Sequence, residues 1–137
     1  MKRLTLLALC ALTGVSAPFV PPTFAQVKTP PKGSPQRTAI MNALHREIGL
    51  KNNPLITANT FNVQNGWAFV QGGWSRKDGK PLPAQYQEGP GTNFDAVLHR
   101  ERGSWKVKWF GYVGDVENDE HARRFPQAPR AIFRLKG

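Results

Sequence analysis

The chain has 137 residues, with 19 Lys and Arg against 9 Asp and Glu and a formal net charge of +10. That length is one ordinary domain, which excludes large multidomain enzymes and repeat solenoids. At 39% hydrophobic and 20% charged residues the chain can build a core, which argues against disorder throughout, while 12 Pro and 13 Gly put much of it in loops.

Lys2 and Arg3 precede a mostly apolar run from Leu4 to Val15, the basic start and hydrophobic stretch of a secretory signal. The run is too short to cross a bilayer core of about 30 Å as a helix, and Pro18, Pro21 and Pro22 would stop it. Small residues at Thr23 and Ala25 place cleavage after Ala25, with a cut after Ala17 as the alternative. Leu9, rather than a small residue, precedes Cys10, which argues against lipoprotein attachment. The expected location is therefore periplasmic or secreted. Cleavage removes Lys2, Arg3 and the sole cysteine, Cys10, leaving +8 on about 112 residues that have neither disulfide nor thiolate chemistry. The expected organisation is a signal peptide over 1–25, a flexible Pro-rich linker over 26–33 and a single α+β domain over 34–137.

Ser34 offers an N-cap and Pro35 suits the first helical position. Ile40, Met41, Leu44 and Ile48 then recur at helical spacing before Gly49, predicting a helix over 35–48. His45 lies at the edge of that stripe and reads as a boundary residue. Beyond Pro54 the period shortens, and Asn65-Gly66 separates two strand-like runs as a two-residue hairpin turn. In that register Phe61, Val63, Ala68 and Val70 share one face, and Asn62, Gln64, Trp67 and Phe69 the other.

Residues 75–92, rich in Gly and Pro, predict a long loop. A second hairpin turns around Arg102-Gly103. With a two-residue loop its apolar face carries Phe94, Ala96, Leu98, Trp105, Val107 and Trp109. Its other face carries Asp95, Val97, His99, Lys106, Lys108, Phe110 and Tyr112. Residues 115–125 run from acidic to basic, which suits a short helix dipole, and Ala131-Ile132-Phe133 can fold back as an apolar clasp. The fold class predicted is thus α+β: one N-terminal helix packed on a four-stranded antiparallel sheet of two hairpins, with a short C-terminal helix and tail.

Gly66-Trp67-Ala68-Phe69-Val70, Asp78-Gly79-Lys80-Pro81, Phe94-Asp95-Ala96-Val97-Leu98, Gly103-Ser104-Trp105-Lys106-Val107 and Ala128-Pro129-Arg130-Ala131-Ile132-Phe133 together resemble small exported proteobacterial proteins of unknown function. One helix followed by four antiparallel strands is also similar to the cystatin-like arrangement and to a reduced NTF2-like cone. The resemblance implies architecture, since such folds serve inhibitors, binding modules and enzymes alike.

No catalytic motif is found. Neither Ser75 nor Ser104 sits in a nucleophile elbow, and His45, His99 and His121 fall on separate elements without metal-ligand spacing, so no metal and no cofactor are expected. Asp95 and His99 share a strand face but stand about 13 Å apart at strand spacing, too far for a dyad. If the two hairpins join edge to edge, Trp67, Phe69, His99, Lys106, Lys108, Phe110 and Tyr112 form one aromatic and basic sheet face. That face can stack on rings or hold anionic groups, unless the long loop and the C-terminal tail cover it. The function expected is an exported, non-catalytic binding module of unknown ligand, whose charge would match an acidic protein or an anionic envelope component. Export disfavours nucleic acid, and the mature form carries no transmembrane anchor. The alternatives are a small NTF2-like enzyme with Asp95 or His99 as base in a sheet pocket, and an inhibitor acting through the Arg76 to Lys80 loop.

Overall fold

A computed structural model describes residue 14, residues 26–113 and residues 117–134. The expected signal peptide and its cleavage site fall outside the described residues, as does the acidic start at 115–116 ahead of the C-terminal helix. Helix α1 spans Pro35–Ile48; strands β1 (Pro54–Gln64), β2 (Trp67–Arg76), β3 (Phe94–Glu101) and β4 (Ser104–Tyr112) follow, and helix α2 spans Asn118–Arg124. Short 3-10 turns occupy Leu50–Asn52, Ala84–Tyr86 and Arg130–Phe133. The strands form an antiparallel meander in the order β1-β2-β3-β4.

Local chemistry sets the ends of α1. The Ser34 hydroxyl accepts the Arg37 backbone N–H at 3.3 Å, Pro35 opens the helix, and Gly49, at φ 102°, closes it. Its buried stripe of Ile40, Ala43, Leu44 and Ile48 packs on the sheet face that carries Phe61, Val63, Ala68, Val70, Ala96 and Leu98. Each large apolar side chain buried there stabilises the fold by about 1.5–3 kcal/mol.

Both hairpin turns have the expected chemistry. Asn65 and Gly66 take φ of 49° and 75°, Arg102 and Gly103 take 52° and 79°, and the first register pairs Gln64 with Trp67 as predicted. The second hairpin departs from prediction after Leu98 and Val107, because Lys108 bulges out and Val97 faces Trp109 instead. One extra residue turns every later side chain to the opposite face. Trp109 therefore leaves the α1 side, and Phe110 and Tyr112 join it, packed near Phe94 and Trp74. A second bulge, at Asn59 between Ala58 and Thr60, re-aims β1 in the same way.

The sheet is covered on both faces. Opposite α1, Trp67, Phe69, Val97 and Trp109 pack beneath α2 and the tail, whose Ala122, Ile132 and Phe133 are buried with them. Ile132 and Phe133 are the clasp anticipated from their apolarity. The long loop joins adjacent strands, and its Tyr86 ring packs edge-on against Trp74 and Tyr112. The 26–33 stretch, expected as a spacer, docks on the sheet edge: Lys28 and Val63 exchange two backbone hydrogen bonds of 2.9 and 2.8 Å, and the Arg37 guanidinium donates to the Pro30 carbonyl. Every described element, and both cores, lie between Val27 and Phe133, so this part of the chain carries its own fold.

Candidate functional site

The aromatic and basic face expected from strand register does not exist as one surface. Trp67 and Phe69 are buried under the C-terminal cover, and the bulge at Lys108 sends Phe110 and Tyr112 through to the α1 side. Trp67, His99 and Lys106 do stay together. The Trp67 and His99 rings stack with centroids 4.1 Å apart, and His99 pairs across the ladder with Lys106. Lys108 is held at 2.8 Å by Glu101, which also meets His99 Nδ1 at 3.3 Å, so Glu101 offsets part of the local positive charge. Lys108 and then His99 hydrogen-bond the Glu101 carboxylate and hold its pKa below the ordinary value.

Asp95 and His99 form no dyad; Asp95 is taken by His121 of α2, whose Nε2 lies 2.8 Å from the Asp95 carboxylate. Gln71 donates to both Asp95 and Asn118, and Asn118 donates to the Phe133 carbonyl, which ties α2 and the tail to the sheet. The pair is nearly sealed from solvent and works as a structural anchor. Sequence reading missed it because the partners sit on elements whose docking no local signal specifies.

Among the described residues, cations without a carboxylate partner stand in several places, Arg100 and Lys106 of the second hairpin among them, and four line clefts beside α1. Two adjoining clefts of about 360 and 380 Å³ share Asn42 and His45. Lys32 and Arg37 line one, Arg46 and Lys77 the other, and neither wall contains an acidic residue. Among the described residues none of these four cations is ion-paired, whereas Arg76, Lys108, Arg123 and Arg124 each have an acidic partner. The cleft on the β4 side of α1 differs, because Glu47 stands there beside Arg46 and Lys106.

Each wall has a local cause. Arg37 lies over the Phe61 ring at 4.4 Å and on the Pro30 carbonyl, so its charge is fixed in place. Lys77 is positioned by its backbone N–H, which donates to the Asn53 carbonyl at 2.9 Å. Burial and then the Lys77 charge push the His45 pKa below its ordinary value of 6.5, partly offset by backbone hydrogen bonds at Met41 and Pro54. The neighbouring Arg76 to Lys80 turn closes on itself: Arg76 and the Lys80 backbone N–H both bind Asp78, holding that carboxyl well below the usual carboxylate range. The cationic clefts went unread in the sequence because Lys32, Arg37, Arg46 and Lys77 come from the leading stretch, the helix and a distant loop.

No helix among the described residues is long and apolar enough to cross a membrane, and no cluster of His, Cys, Asp and Glu among them fits a metal ion. Comparison with protein-family models, curated proteins and solved structures gave no match. The fold is a helix-backed α+β domain with a four-stranded antiparallel meander.

Proposed function

We propose that the protein is an exported, non-catalytic module that binds an anionic partner, and that the binding surface is the cationic one beside α1. The observation that carries this is the pair of adjoining clefts at Asn42 and His45, with Lys32, Arg37, Arg46 and Lys77 in their walls and no acidic residue lining either. Fixed cations in concave surface raise the local potential and favour an anion over water. Export follows from the signal-like start and suits an acidic protein or an anionic envelope component better than nucleic acid.

The cystatin-like arrangement is the better architectural analogy. An NTF2-like enzyme keeps its pocket between helix and sheet, and here Ile40, Leu44, Phe61, Val70 and Leu98 fill that space. The Arg76 to Lys80 turn, folded onto Asp78, offers little as an inhibitory loop.

Polyglutamate provides a soluble anionic probe. The chain from Gln26 onward is expected to bind it at low ionic strength and to lose that binding steeply as salt is added. Absence of binding at low salt, or binding indifferent to salt, contradicts the proposal.

A further inference from the structure

Resting on that reading, we infer that the anionic partner is a lipid bilayer surface, met by the end of the domain where α1, the turn after it and the β1–β2 ends converge. Two large apolar side chains stand out in solvent among the described residues, Leu50 at 72% and Leu55 at 51% exposure, and both belong to this end. Leu50 lines the cleft that holds His45, Arg46 and Lys77. Leu55 follows Pro54 of the same cleft and leaves β1 on the face opposite Ile56, which packs toward α1. The two leucines therefore bracket the tip from its two sides.

The charge around them is mainly positive, with Glu47 in the cleft on the β4 side of α1. Arg46, Lys51 and Lys77 are exposed there, and the adjacent Asp78 is consumed by Arg76. A soluble acidic polypeptide needs the cations but has no use for leucines in water between them. An anionic bilayer uses both, since its headgroups attract Lys and Arg while its acyl boundary accepts apolar side chains. The Leu50 side of the tip is held in place by the Lys77–Asn53 backbone hydrogen bond and by Asn52, whose amide donates to the Ile48 carbonyl at 2.8 Å. The leucines are thus presented on a fixed scaffold.

The test sediments the chain from Gln26 onward with vesicles of phosphatidylcholine, and with vesicles of equal parts phosphatidylcholine and phosphatidylglycerol, alongside polyglutamate in solution. Wild type is expected to favour the anionic vesicles by about tenfold or more. Leu50→Ser with Leu55→Ser, both at exposed positions the fold does not need, is expected to cut vesicle binding about tenfold and leave polyglutamate binding unchanged. Unaltered vesicle binding by the leucine variant, or polyglutamate binding with no vesicle binding, overturns the bilayer inference and leaves the anion-binding proposal standing. Loss of binding to both anionic probes removes the proposal beneath it as well.

Discussion

Asp95 and His121 lie 26 residues apart in sequence and meet at 2.8 Å beneath the C-terminal cover. This contact joins β3 to α2, part of the cover under which Trp67, Phe69 and Trp109 pack. His121 also packs against the rings of Phe69 and Trp109, at centroid distances of 5.4 and 4.6 Å. Replacing His121 by Ala leaves the Asp95 carboxylate buried without that partner and opens space against both rings. The lost buried hydrogen bond and the cavity are expected to cost about 2–5 kcal/mol in denaturant unfolding. His121→Leu combined with Asp95→Asn should cost less than the two single losses summed, because both single changes break the same contact.

Gly72 tests the bulge in β1. A Cβ at this position would stand 2.2 Å from the Thr57 carbonyl oxygen, and that contact is with backbone. Gly72→Ala is expected to cost about 1–3 kcal/mol, measured by thermal or denaturant unfolding. Gly79→Ala, which has open space around it but takes φ of 71°, should cost only backbone strain and serves as the comparison.

Tyr112 gives an alkaline signature. Burial pushes its phenol from 10.0 up to about 12, against the opposing effect of the Trp74 indole N–H that donates to it at 3.1 Å. The folded state then holds this proton more tightly than the unfolded state. Its contribution to stability is full below pH 10.0 and is lost as pH rises toward about 12. Tyrosinate absorbance should show one phenol ionising near that upper value in the folded chain and at the ordinary value in denaturant.

His45 links binding to pH. Its folded pKa lies below the ordinary 6.5, so its stabilising contribution is present above 6.5 and is lost as pH falls through the depressed value. An anion seated in the cleft opposes the Lys77 charge and raises that pKa, so binding takes up a proton. Affinity for polyglutamate, measured by calorimetry, should therefore rise as pH falls below 6.5, and His45→Gln should flatten the profile.

Much of the fold was legible because its signals are local. Ser34, Pro35 and Gly49 bound α1, and Asn65-Gly66 sets the first register, through backbone chemistry that a few neighbouring residues determine. The Lys108 bulge carries no comparable signal. Trp109 and Phe110 are adjacent aromatics, so either can face the helix, and tertiary packing places Trp109 beside His121 and Phe110 beside Phe94. That slip, together with the C-terminal cover over Trp67 and Phe69, is why the sheet face inferred from alternation dissolved. The uncompensated cations were visible as a net charge of +10, but their grouping at the clefts depends on how α1, β1 and the long loop pack.

The most direct measurement sets the two basic surfaces against each other. Polyglutamate affinity is compared at low salt for Arg46→Glu with Lys77→Glu and for Lys106→Glu with Lys108→Glu, each pair reversing two surface charges. The first pair is expected to weaken binding by about tenfold or more, and the second to change it by no more than about twofold. A tenfold loss in the second pair with none in the first would return the binding surface to the sheet edge and contradict the account.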